Sequence, residues 1–293
     1  MSRYAVFWGC WIQTRLPSVE ASLRRVAQTF DLELQEMPGA SCCPDPVMTA
    51  LLDRDTWLSI AARNLAISEE LGLDLVTACN GCYETLFEAN ETLRRDEALR
   101  ERVNSLIGPS GKKFRGSQEV RHIVEVLHRD VGMEKIESAI EKPLEGLRVA
   151  SHPGCHLFRS RELDDYDLKA KMFDELIRAT GAEPVDYKLK RMCCGFPQRQ
   201  ADEEYALKGT LRVKLENIAA RGVDCIAVVC PSCQMQFELG QLELKRRFNL
   251  EFNVPIFNLS ELLALSLGIS PKEVGFETHI IPVRGVLEKV GLG

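Results

Sequence analysis

Two sets of five cysteines, each in the order C, CC, CxxC, recur along this chain at matched spacing. The first is Cys10, Cys42 with Cys43, and Cys79 with Cys82; the second is Cys155, Cys193 with Cys194, and Cys230 with Cys233. Between the single cysteine and the CC pair lie 31 residues in the first set and 37 in the second, and 35 separate the CC pair from the CxxC in both. A lone CC or CxxC arises by accident in a cysteine-rich chain, but two ordered sets at this spacing are an internal duplication. With 293 residues the chain buries a sizeable core without cross-links, so stapling a small scaffold does not explain its 11 cysteines.

Composition narrows what those cysteines do. Apolar residues make up 45% and charged residues 27%, with no signature of disorder or low complexity. The net charge of −6 gives no general attraction to nucleic acid or an anionic membrane, and no basic-aromatic stripe supplies a local one. The longest apolar run, Leu259 to Ile269, is interrupted by Glu261 and falls short of a membrane span. Ala5 to Ile12 lacks a small-residue cleavage site and reads as a first core strand rather than a signal peptide. A cytoplasmic location is the expectation, and in that reducing compartment the cysteines point to metal binding or redox chemistry.

Other residues follow the repeat. A Ser18-capped helix carrying Val19, Leu23, Val26, Ala27 and Phe30 is expected before the alternating Leu32 and Leu34. The second half answers with Leu168, Met172, Leu176 and Ile177, a stop at Gly181, then Val185, Tyr187 and Leu189. After each CC a long helix ends near Gly72 or Gly222, and a short apolar run, Leu73 to Ala78 or Val223 to Val229, delivers the CxxC. Glu125, Val126 and Leu127 echo Glu261, Leu262 and Leu263. The expected fold class is α/β, in two pseudo-repeated parallel-sheet halves, each βαβαβαβα. They divide near Pro143 to Gly146, into domains 1–145 and 146–293.

In such halves every cysteine of the sets falls just beyond a C-terminal strand end, the side on which open α/β sheets bind ligands. Cys82 and Cys233 fall in a first helical turn, where backbone N–H groups favour thiolate. Zinc, the plain structural alternative, takes four thiolates, one fewer than each half offers, and the long gaps are unlike a compact zinc module. A cubane iron–sulfur cluster also takes four, and the compact ferredoxin run is absent. Five ligands, two of them adjacent, suit an iron–sulfur cluster in which some thiolates bridge irons.

These residues carry a resemblance. Gly39-Ala40-Ser41-Cys42-Cys43-Pro44, Thr77-Ala78-Cys79-Asn80-Gly81-Cys82-Tyr83, Pro153-Gly154-Cys155-His156-Leu157, Cys193-Cys194-Gly195 and Cys230-Pro231-Ser232-Cys233 resemble the duplicated cysteine-rich CCG domain of the B subunit of CoB–CoM heterodisulfide reductase from methanogenic archaea. The likeness spans nearly the whole chain. It implies that Cys10, Cys42, Cys43, Cys79 and Cys82 hold one noncubane 4Fe-4S cluster and Cys155, Cys193, Cys194, Cys230 and Cys233 a second. The mixed disulfide CoM-S-S-CoB would be cleaved between them, two clusters matching a two-electron reduction. No ferredoxin run, dinucleotide glycine motif or flavin signature is present, so electrons come from outside. The resemblance implies a ferredoxin-like C subunit as donor, fed by a flavin-containing A subunit that bifurcates electrons from hydrogenase or formate dehydrogenase. Two departures stand out: Phe196-Pro197-Gln198-Arg199 follows the second CCG where the family commonly has small glycine-rich residues, and Pro44 follows Cys43 where the motif's name places glycine. The same domain pair occurs in electron-transfer or anchoring subunits of organic-acid dehydrogenases and in sulfur-oxidation complexes, an alternative assignment.

The remaining candidates flank the sets. His152 and His156 lie either side of Cys155, as proton donors to a leaving thiolate or as hydrogen-bond partners of a sulfur. Lys188, Lys190, Arg191 and Arg199 surround the second CC against Asp186; Arg199 and Lys190 are candidates for binding the substrate's anionic groups, the other reading being a solvated face. His122 and His128 are expected to be structural or surface residues, and 108–117 an exposed loop. Cys225, outside both sets, takes the place of Leu75 when counted from the preceding glycine, and is expected in a buried strand.

Overall fold

The computed structural model describes residues 2–157 and 163–293. Among them β1 (Ser2–Val6), β2 (Leu32–Glu36), β3 (Leu75–Thr77) and β4 (Val120–His122) form a sheet in the order β2-β1-β3-β4. The second sheet repeats it as β6-β5-β7-β8, from β5 (Arg148–His152), β6 (Glu183–Val185), β7 (Cys225–Val228) and β8 (Ile256–Asn258). Every pairing is parallel. The register repeats as well: Ala5 stands opposite Gln35 and Leu75, and Ala150 opposite Val185 and Ile226. Central strands covered by helices on both faces read as continuous apolar runs, and all four residues of β7 are buried.

Two sequence expectations shift in detail. Ser18 does not cap the first long helix, which spans Pro17–Thr29 with Leu16 at its cap and Ser18 buried inside it. Proline at the first helical position has a preset φ and no N–H to satisfy, so the helix starts there. Register puts Ile226, not Cys225, in the place of Leu75. One more residue lies between Gly222 and Cys230 than between Gly72 and Cys79, so counting from the glycine slips by one. Cys225 is still fully buried at the start of β7. The helix Arg54–Leu71 ends as expected at Gly72, whose φ of 67° is a left-handed value open to glycine.

The halves grip each other reciprocally. Helix Pro17–Thr29 packs on helix Leu259–Ser266, with the buried Ser22 and Ser260 hydroxyls 2.8 Å apart. The helical segment after β4 packs in turn on helix Leu163–Ala179, whose buried Lys169 donates to Tyr83 Oη at 2.8 Å. Helix Leu259–Ser266 is thus core, and no helix of the described residues is long and apolar enough to cross a membrane. His122 is buried and accepts the Val124 N–H through Nδ1, capping the helix that follows β4. His128 pairs with Glu175 across the halves.

The C-terminal segment is fastened by His279, whose Nδ1 lies 2.9 Å from Glu238 and Nε2 3.1 Å from Glu261, all three side chains at most 1% exposed. Burial opposes charge on the imidazole, but attraction by Glu261, aided by Glu238, wins and raises its pKa from 6.5 to about 10. A pKa raised on folding contributes stability that is complete below the unfolded value and fades as pH climbs through the folded one. His279→Gln is therefore expected to lower the thermal midpoint most near pH 6, with the gap to the parent protein closing as pH approaches 10. A gap independent of pH would show that His279 contributes by packing.

Candidate metal centre

Each half presents its thiols from the same three places. Cys10 lies in the first turn of helix Gly9–Arg15, after β1. Cys42 and Cys43 sit in the loop after β2, and Cys193 and Cys194 in the loop after β6. Cys79 and Cys230 are the N-caps of helices Asn80–Arg95 and Pro231–Phe248, with Cys82 and Cys233 in the first turns. Gly9 and Gly154 precede the single cysteines with φ of +70° and +81°, and a Cβ on Gly9 would stand 2.8 Å from Cys82 Sγ. These tight turns let the backbone approach the thiols.

The thiols influence one another's ionisation in a single series of neighbours: Cys10, Cys42, Cys43, Cys82, Cys79, Cys230, Cys233, Cys194, Cys193, Cys155. Its order is the same from either end, and it passes from one half to the other through Cys79 and Cys230. At the far end Cys155 Sγ and Cys193 Sγ are 3.8 Å apart. Beside the crossing, Asn80 Nδ2 donates to the Pro153 carbonyl at 2.7 Å, tying the first CxxC to the end of β5.

Neighbouring thiols polarise one another. Cys10 and Cys43 beside it hold the Cys42 pKa down to about 3. Cys155 and Cys194, with the Gly195 N–H, hold Cys193 at about 2. Cys233 and Cys79 keep Cys230 well below the usual thiol range, while Cys10, Cys43 and Cys155 are pushed up by their thiolate neighbours and by burial. Removing every proton would crowd negative charge into a mostly buried space, which soft metal ions compensate. Thiolate donors at this density fit iron–sulfur ligation. Asn80 Oδ1 and both ring nitrogens of His152 are buried without a partner among the described residues.

All ten cysteines line a cleft of about 240 Å³ between the halves. Trp11 and Phe196, one from each half, meet edge to face above it at 5.7 Å and 87°. Phe196 thus has a use: the bulky residue after the second CCG builds the cleft wall. His156 lines the cleft, its Nδ1 against the carboxylate of the buried Glu84 from the other half. His152 lies behind, its pKa driven well down by burial, so it is uncharged. Its ring nitrogen is within 4.8 Å of the sulfurs of Cys194 and Cys233.

Lys190 and Arg199 are not among the residues lining the cleft. Lys190 Nζ is 2.6 Å from Asp174, and Arg199 is held by Glu203 and, at 2.9 Å, by Glu243. Cys225 is also outside the lining. Sequence reasoning missed Glu84, since no local spacing pairs it with a histidine 72 positions on. It also missed Asn80, whose position inside the CxxC was the available signal.

Comparison with known proteins agrees with this geometry. A family model described as a cysteine-rich domain, CCG, matches residues 4–87 and 149–238. The chain is 39% identical to the B subunit of the ferredoxin:CoB-CoM heterodisulfide reductase of Methanosarcina mazei, covering 99% of this chain and 97% of that protein. It is 30% identical to the 8-methylmenaquinol:fumarate reductase membrane anchor subunit of Wolinella succinogenes, over 95% of this chain and 96% of that one. A crystal structure of a hypothetical protein from Helicobacter pylori shares the fold at a TM-score of 0.76 and 14% identity, spanning 96% of this chain and 52% of its own.

Protein made anaerobically is expected to carry roughly eight irons per chain with matching acid-labile sulfide, four for each cluster. Cys225→Ala is expected to leave that content intact. Stoichiometric zinc without sulfide would refute the iron–sulfur assignment, and loss of half the iron in the Cys225 variant would refute the ligand set.

Proposed function

The chain belongs to the family of heterodisulfide reductase B subunits built on the duplicated cysteine-rich domain, and from that membership we propose that it is the catalytic subunit that reduces CoM-S-S-CoB to coenzyme M and coenzyme B. The cleft lined by all ten cysteines, five from each half, supports this most directly. On this reading domains 1–145 and 146–293 each hold one noncubane 4Fe-4S cluster through their five cysteines. When bound, the two clusters supply the two electrons that cleavage of a disulfide takes.

The residues of the chain supply the rest. The cleft of about 240 Å³ is lined by the ten thiols that would hold the clusters, so the disulfide meets them from its open side. Trp11 and Phe196, in edge-to-face contact, form an apolar wall beside that approach. Two product thiolates need two protons. His156, in the cleft and oriented by Glu84, donates a proton to a product sulfur. His152, uncharged and behind the sulfurs, hydrogen-bonds a ligand thiolate instead. The substrate's sulfonate, carboxylate and phosphate remain outside the cleft, and binding them at Arg199 or Lys190 requires displacing Glu203, Glu243 or Asp174. Electrons arrive in the cytoplasm from a ferredoxin-like C subunit, itself fed by a flavin-containing A subunit and a hydrogenase or formate dehydrogenase.

The Wolinella relative, named as a membrane anchor, favours a second reading in which the clusters only pass electrons. Reduced viologen separates the two. If both halves act on the disulfide, Cys42→Ala and Cys193→Ala each abolish heterodisulfide reduction even where spectroscopy shows the other cluster intact. Near-parental turnover in either variant demotes that half to a relay. His156→Gln is expected to cost roughly 100-fold in kcat, with Glu84→Gln following in the same direction.

A further inference from the structure

The repeat that makes the two halves alike also exposes where they differ. Three matched positions around the thiols carry different chemistry. Phe7 and His152 each stand three residues before the single cysteine. Met37 and Tyr187 each follow by two the residue that pairs with Ala5 or Ala150. Asn64 and Lys214 each stand eight residues before the glycine that ends their helical segment.

The first half is apolar or neutral at all three. Phe7 is buried beside Cys82, as a Cβ on Gly9 would stand 2.8 Å from that sulfur and 4.0 Å from Phe7 Cε1. Met37 is buried, and Asn64 spends its amide on the CC loop, accepting from the Ser41 N–H at 2.9 Å and donating to the Cys42 carbonyl at 3.0 Å. In the second half, His152 has a ring nitrogen within 4.8 Å of the sulfurs of Cys194 and Cys233. Tyr187 Oη is buried with no partner among the described residues, and its ring lies 5.4 Å from Lys214 Nζ; burial above all pushes its pKa up, with Cys233, Asp174, Asp186 and Cys194 adding to it. Lys214, fully buried, donates to the carbonyls of Leu189 at 2.7 Å and Met192 at 2.6 Å, on the loop that delivers Cys193. Burial pulls its pKa down to about 8, against the attraction of Cys194, Cys233, Cys193 and Cys155, four of the five thiols of the set, so it is largely an ammonium at neutral pH.

Reduction adds negative charge to a cluster, so polar groups near its sulfurs and a cation in the low-dielectric surround stabilise the reduced form and raise the potential. We infer that the second-half cluster has the higher reduction potential of the two, set by Lys214, His152 and Tyr187, so that an electron entering the chain comes to rest in the second half. This rests on the assignment of one cluster to each five-cysteine set. Each cluster takes up one electron from an external low-potential donor, and the first half, surrounded by Phe7, Met37 and Asn64, passes its electron on before it holds a second. The duplication thus yields a direction as well as a pair of sites.

The test is an anaerobic potentiometric titration of the holoprotein with dithionite and mediators, followed by electron paramagnetic resonance. Two one-electron transitions are expected, and Cys193→Ala should remove the higher one while Cys42→Ala removes the lower. Lys214→Met should shift the higher transition downward and leave the lower unmoved; Lys214→Arg, which keeps the charge, should restore most of the shift. Tyr187→Phe deletes one oxygen and should move the same transition in the same direction, so the sign is readable even if Lys214→Met loses iron. Loss of the higher transition in Cys42→Ala, or an unmoved potential in both Lys214→Met and Tyr187→Phe at full iron content, overturns the inference. Parent protein without iron would instead refute the cluster assignment on which it rests.

Discussion

Two strand ends from different halves meet at Cys79 and Cys230, and the chemistry of the cleft depends on that meeting. Both cysteines are N-caps, so each has an extended backbone that turns directly into a helix, and the next cysteine of the pair follows in the first turn. The Asn80 amide bonds the Pro153 carbonyl beside them and fixes the first CxxC against the end of β5. A Cβ at Gly154 would collide with that amide, which is why the position before Cys155 is glycine with a φ of +81°. The counterpart of Asn80 in the second CxxC is Pro231, which has no amide to donate, so this tie is made from the first half alone. The other eight thiols are then carried to their places by sheets of identical order.

On the proposed reading the thiols ligate metal, which explains why so much of the site was readable in advance. A thiolate cannot be replaced by another side chain of similar size without losing the bond, so ligands remain as cysteines at strand ends, and their spacing reports the crossover lengths. The parallel sheets followed from apolar runs between helical segments, and the glycine stops from their need for left-handed backbone. What stayed hidden was tertiary. The meeting of Glu84 with His156 depends on how two halves face each other, and Lys214 looked like any lysine on an amphipathic helix until its three carbonyl partners were visible. The slip at Cys225 and the displaced cap at Ser18 are local: an extra residue before β7 and a proline that starts a helix two positions early.

The basic residues near the second CC illustrate a different limit. Sequence placed them together, but Lys190 and Arg199 each sit beside carboxylates. Arg199 joins Glu203, Glu243 and Arg247 in a network across two helical segments, and Lys190 shares Asp174 with Ser151. Half-buried pairs of this kind lock loop geometry at modest energetic gain. Their immediate effect is to brace the loop that carries Cys193 and Cys194, the same loop that Lys214 holds from beneath.

The two ends of the thiol run are not equally sheltered. Cys10 and Cys42 are exposed, whereas Cys155 and Cys193 are half-buried. Dissolved oxygen, peroxide and chelators therefore reach the first set before the second, and thiolate character at Cys42 adds reactivity to access. With one cluster in each set, as proposed, damage in air begins at the first set, so a partly inactivated preparation is a population of half-loaded chains rather than a mixture of intact and empty ones.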